Sequence, residues 1–185
     1  VPSSKRNLSL GTFLFWVGCL IVAALFCAAL RWPPDGTERA AMGQFIGRFH
    51  PLLVHGPIAL ILLVALLEIA GAFPRGRHLR AAAGFVLGIA TAAAIAAAID
   101  GWLLAWSGGY GGRMVARHMW GGASLATLCL AAAGIRAQKR PPWTAIYRLL
   151  LVPIILLLIW TSDQGGALTH GETFLTQFMP DRLRS

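Results

Sequence analysis

Carboxylates are scarce in this chain: seven of its 185 residues are Asp or Glu, and charged residues of both signs make up only 12%. An ordinary soluble domain carries about twice that charged fraction, so the composition first excludes a water-solvated globule. Cysteine is equally sparse. Cys19, Cys27 and Cys129 each lie inside an apolar run, no CxxCH occurs, and no pair has zinc-ligand spacing. Covalent c-type haem attachment and a zinc ribbon are thereby excluded, and the three thiols read as buried structural residues. The net charge of +9 could suggest nucleic acid. The basic residues, however, form short clusters between apolar runs, without a continuous stripe or interleaved aromatics, which excludes that partner.

What the chain has in abundance is apolar length. It is 57% hydrophobic with a mean hydropathy of +0.66, and a membrane-spanning helix needs about 20 such residues. Five spans are expected, over residues 9–31, 51–73, 81–106, 119–135 and 144–162. The first follows Lys5 and Arg6 like a signal peptide, and Val17 to Cys19 resembles a weak lipoprotein cleavage site. Its apolar run nevertheless continues to Leu30, too long for a cleaved segment, and it reads as a retained helix.

Placement of Lys and Arg sets the expected orientation. With the N-terminus inside, the inner segments hold Lys5, Arg6, Arg75, Arg77, Arg80, Arg136, Lys139, Arg140 and Arg148, with no acid among them. The outer segments mix Arg31, Arg39, Arg48, Arg113, Arg117, Arg182 and Arg184 with Asp35, Glu38, Asp163, Glu172 and Asp181. A bacterial inner-membrane protein with a cytoplasmic N-terminus and a periplasmic C-terminus follows. Trp32, Trp102, Trp106, Trp120 and Trp160 fall near the outer boundary and Trp143 near the inner one, as interfacial belts do. The third span carries Gly84, Gly88, Ala92 and Ala96 at four-residue intervals, a ridge that suits close helix packing or, less simply, a flat macrocycle.

Ionisable groups at membrane depth mark functional sites by default. His50 and His55 open the second span in HPLLVHGP, His118 opens the fourth in RHMWGG, and His170 closes the fifth in GGALTHG. These four share the outer side, whereas His78 reads as a solvated inner-loop residue. His50 and His55, five residues apart, are rotated by about 140° on a helix and so serve different partners. His55 and His118, at comparable depths on parallel spans, form the expected pair. Gly165 and Gly166 are expected to break the fifth helix and let His170 fold back towards His50. Interfacial histidines bound to backbone or water are the bland alternative, and zinc or copper is another because imidazole suits both. The cations Arg39, Arg48, Arg113 and Arg117 oppose a divalent metal but suit the propionates of haem. Asp100 could orient a ligand imidazole or accept a proton, and Glu68 reads as the partner of an inner arginine such as Arg148.

The segments HPLLVHGPIALILL, GWLLAWSGGYGGRMVARHMWGGA and GGALTHGETFL resemble a small membrane domain of uncharacterised function that precedes the cytochrome domain in planctomycete-type c-type cytochrome proteins. The likeness spans Phe45 to Gln177. It implies a haem-b-binding, cytochrome-b-like bundle engaged in membrane electron transfer. Where that family often has a further His, this chain has Asp163 in SDQGGALTHG, so one potential ligand is missing. No cytochrome c domain follows within the sequence, which makes a c-type cytochrome an expected separate partner.

The expected architecture is an all-α integral membrane protein: an N-terminal transmembrane helix and outer loop (1–44), a four-helix haem-binding bundle (45–177) and an outer tail (178–185). One or two b-type haems are expected near the outer face, with His55, His118, His50 and His170 as candidate ligands and Arg48, Arg113, Arg117 and Asp100 lining the cofactor. The chain reads as an electron-transfer subunit rather than a stand-alone enzyme, relaying electrons to a c-type cytochrome or multi-subunit complex, with quinol as a donor. The alternative is a haem-free structural anchor for such a complex.

Overall fold

In the computed structural model, which describes residues 9–180 and Arg182, the described elements are helical and five helices are long and apolar enough to cross a membrane. The first, α1 (Leu10–Arg31), starts at Ser9, whose hydroxyl accepts a hydrogen bond from the Thr12 amide. Two short helices, α2 (Ala41–Gly47) and α3 (His50–Leu53), lead into α4 (His55–Ala72), and together they make one apolar stretch. A 3₁₀ turn at Pro74–Gly76 reverses the chain into α5 (Leu79–Ser107). Helices α6 (Arg113–Ala137) and α7 (Pro141–His170) complete the set.

The expected spans are present, but α6 begins six residues earlier and α7 ends eight residues later than hydropathy indicates. Hydropathy falls where Arg113, Arg117, Asp163 and the glycines appear, while backbone hydrogen bonding carries on. The fifth helix does not break at Gly165–Gly166. It runs on to His170 and stops at Gly171, whose φ of 93° lies in the region that favours glycine. Pro141 and Pro142 open α7, where the missing N–H costs nothing.

Helices α4 to α7 share one core. Ile61 and Val64 from α4, Leu87 and Ala90 from α5, Leu125 and Cys129 from α6, and Tyr147 and Ile154 from α7 meet inside it. Contacts run from α4 to α5, α5 to α6, α6 to α7 and back from α7 to α4, so α4 and α6 face each other diagonally. Outside, Leu66, Phe85, Leu149 and Leu156 are exposed. Helices apolar all round belong in lipid. The face of α5 that packs is Ala83, Leu87, Ala90, Ala94 and Ala97. The expected ridge serves packing only at Gly84, which lies against Arg136; Gly88 has open space beside it and Ala92 and Ala96 are exposed.

Helix α1 docks on α5 and α6 through Val22 and its neighbours, which join Ala94, Ala126 and Leu130. Gly18 meets the Leu130 side chain and Gly134 receives Phe15, close approaches that a Cβ would block. Because α1 packs through one face only, the thiols differ: Cys129 is buried in the core, Cys19 is half-buried and Cys27 is exposed, against the expectation that all three are buried. The loop after α1 is tied to the end of α5. Arg39 donates from its amide to the Ser107 carbonyl (2.9 Å) and from its guanidinium to the Trp106 carbonyl. It also pairs with Asp35 at 2.8 Å, a hydrogen bond that holds the Asp35 carboxyl down to about 2.

At the end of the core where α4 stops and α5 starts, buried Glu68 accepts from Arg136 (2.5 Å) and Arg148 (3.2 Å). Arg136 also lies over the Tyr147 ring at 4.9 Å and donates to the Arg80 carbonyl. The expected Glu68–Arg148 pairing is present, with Arg136 as a closer partner. Replacing Glu68 by Leu leaves two guanidiniums facing each other without a counter-charge, and breaking such a pair costs about 3–5 kcal/mol. Thermal unfolding in detergent is expected to show the loss, whereas Arg148→Lys, which keeps a charge on the more exposed side, stays close to wild type.

Candidate functional site

The opposite end of the core gathers the entry of α4, the C-terminal half of α5, the entry of α6 and the final turns of α7. Here a turn at Arg48–Phe49 separates α2 from α3, whereas α3 runs into α4 with one backbone hydrogen bond missing. Pro57 offers no N–H to the Leu53 carbonyl, but Val54 keeps helical dihedrals, donates to the His50 carbonyl and accepts from the Ile58 amide. His50 opens α3 and His55 opens α4, about 140° apart around nearly one helix, and their environments differ sharply. His50 is partly buried, inside the helix assembly, while His55 is exposed and its Nδ1 donates to the Pro51 carbonyl at 2.6 Å.

His50, not His55, meets His118. The two imidazole centroids lie 5.8 Å apart with planes at 78°. The expected His55–His118 pair is absent: His50 takes the inward side, and His55, rotated by about 140° from it, lies exposed against the Pro51 carbonyl. The expected approach of His170 to His50 is replaced as well. With α7 continuous, His170 stays exposed on its own helix, its ring stacked on Phe174 at 4.6 Å.

Each imidazole of the pair rests on a glycine of a neighbouring helix. A Cβ at Gly101 of α5 would sit 2.6 Å from Cε1 of His50, and one at Gly165 of α7 would sit 2.7 Å from Cε1 of His118. His118 Nδ1 is 2.9 Å from the Thr161 carbonyl. A carbonyl only accepts, so Nδ1 carries the proton and Nε2 keeps its lone pair for another partner. His50 Nδ1 is buried without a hydrogen-bond partner of good geometry, although the Ala97 carbonyl acts on the same ring.

Unsatisfied polar atoms are most frequent at this end of the core. Among the described residues, six buried side-chain polar atoms lack a partner, and four of them, on His50, Asp100, Trp106 and Thr161, belong to this end. Native structures leave few such atoms. Asp100 is 6% exposed and makes no hydrogen bond to either imidazole. Arg48, Arg113 and Arg117 are exposed and make no ion pair among the described residues. His78 is exposed at the other end, as expected of a loop residue.

Gly101 and Thr161 went unread in the sequence, and Gly165 reads there as a helix break rather than a seat for an imidazole. The signal for the glycines was present, since a glycine within a helix weakens it by about 1 kcal/mol relative to Ala and so calls for a packing reason. Thr161 acts through its backbone carbonyl, which no side-chain pattern reveals. No set of three or more His, Cys, Asp or Glu residues converges on a common point among the described residues.

No curated protein and no solved structure matches the chain. The profile of a family described as predicted membrane protein (DUF2231) matches residues 48–173, which includes both imidazoles, both seating glycines and the whole four-helix core. By that match, and in keeping with its five apolar helices, the chain belongs to the DUF2231 family of membrane proteins.

Proposed function

We propose that the chain is a membrane-bound b-type cytochrome that relays electrons near the periplasmic face, with His50 and His118 as the axial ligands of one haem b. The observation that carries this reading is the partly buried pair that α3 and α6 bring together, each imidazole seated on a glycine. A single metal atom ligated by two imidazoles, at about 2 Å per bond, holds ring centres about 6 Å apart, close to the 5.8 Å found here. A zinc site wants three or four protein ligands, and no third group converges here. Haem brings four nitrogens of its own and asks the protein only for the axial positions.

The chain's residues would each have a task. The Thr161 carbonyl fixes the His118 tautomer and ring orientation, as outer-shell partners of metal ligands do. Gly101 and Gly165 let the imidazoles lie against backbone. Arg48, Arg113 and Arg117, on the polar rim, would pair with propionates, and Asp100 offers a buried carboxyl whose charge would influence the site. Bound there, haem supplies a one-electron carrier. In this reading the more basic Glu68 end would face the cytoplasm and the imidazoles the periplasm, as the positive-inside tendency favours. A soluble c-type cytochrome, itself a one-electron carrier, is the fitting acceptor.

The test is a dithionite-reduced minus air-oxidised spectrum of membranes containing the overproduced protein. A b-type α-band that rises with protein amount is expected. Featureless spectra from haem-replete cells would leave a haem-free anchor as the function.

A further inference from the structure

Helix α7 presents two faces at this end. Thr161 and Gly165 point inward to His118, while Asp163, Gly166, Ala167 and His170 line a groove between α7 and α4 with a volume of about 720 Å³. Ile58 and Leu62 form its α4 wall. The left-handed turn at Gly171 brings Glu172 and Phe174 against its upper end. The groove is thus mostly apolar, open towards lipid, and carries proton-accepting groups only near the water boundary.

We infer that this groove binds the hydroquinone headgroup of a lipid-soluble quinol, which rests on the haem reading above for its electron acceptor. Asp163 and His170 lie seven residues apart, about 10 Å along the axis at 1.5 Å per residue. Between them Gly166 and Ala167 leave a low floor, and nothing approaches within 4 Å of a Cβ added at Gly166. That span suits a six-membered ring with a hydroxyl at each end and a hydrogen bond beyond each. The hydroxyls donate, and the groups at both ends accept. Phe174, stacked on His170, limits the rotation of that imidazole. Acidic rim groups disfavour an anionic headgroup and favour a neutral donor, and the apolar α4 wall suits a prenyl tail. The groove and the His50–His118 pair are separated by one helix, about 10 Å across.

Binding can be measured without haem. In lipid nanodiscs, a short-tailed benzohydroquinone should bind saturably by isothermal titration. A benzene carrying the same tail but no hydroxyls should bind at least about tenfold more weakly, since each lost hydrogen bond is worth about 1 kcal/mol. Gly166→Leu should abolish binding by filling the floor, and His170→Leu should weaken it. Binding should persist in the His50→Ala/His118→Ala double variant, which separates this site from the haem reading. Equal binding of the hydroxyl-free analogue would show a lipid-tail groove and overturn the inference. A fall in haem content on His170→Ala would place haem in the groove and overturn it as well.

Discussion

Replacing His118 by Ala is expected to strip the protein of haem, and replacing His50 by Ala is expected to do the same. Changes to outer-shell partners alone cost about 10–100-fold in metal affinity, and loss of an axial imidazole should exceed that range. Global stability should change much less. His118 gives up one hydrogen bond to the Thr161 carbonyl, worth about 1 kcal/mol, and His50 gives up none of good geometry. The decisive comparison is His55→Ala. That side chain is exposed and bonded only to the Pro51 carbonyl of its own segment, so haem content should remain at the wild-type level. Haem content per folded protein, read from the Soret band after size-exclusion chromatography, checks all three. Loss of haem in His55→Ala with retention in His50→Ala would reverse the pairing.

Gly165→Ala should also lower haem content, by about tenfold, and its sign discriminates between roles for the glycine. In a helix interior Ala is more stable than Gly by about 0.5–1 kcal/mol, so a glycine without a packing role gains from the change. Here the new methyl would lie 2.7 Å from Cε1 of His118, and the ring cannot yield without leaving the Thr161 carbonyl. Gly101→Ala meets the His50 ring at 2.6 Å and should behave alike. The neighbouring Gly166, with nothing within 4 Å, is the control: Gly166→Ala should keep its haem and gain slightly in thermal stability. Were Gly165→Ala to bind haem as well as Gly166→Ala, the imidazole seat would have no bearing on ligation.

The five membrane helices and the all-helical architecture were legible because burial in lipid demands long apolar runs, and hydropathy measures those directly. The ends of α6 and α7 were not. Arg113 and Gly165 lower the hydropathy of segments whose backbone bonding continues, so the polar ends of both helices vanished from the profile. The same effect hid the site: reading Gly165–Gly166 as a break removed the helix face on which His118 rests. The four outer imidazoles stood out as unusual residues at one depth. Which of them meet depended on how the stretch from His50 to Ala72 is rotated about its axis, which hydropathy does not report. The two side chains point about 140° apart, so only one can face inward, and it is His50. Glu68 was legible as an ion-pair partner because a lone acid beside a basic end has few other options.

The central claim is that one haem b is held between His50 and His118. A pyridine haemochromogen assay on the purified protein, scaled by amino-acid analysis, tests it most directly. The account predicts a b-type spectrum at about one haem per chain, with none in the His50→Ala/His118→Ala double variant. Haem-free protein from haem-replete cells, or undiminished haem in the double variant, would contradict it.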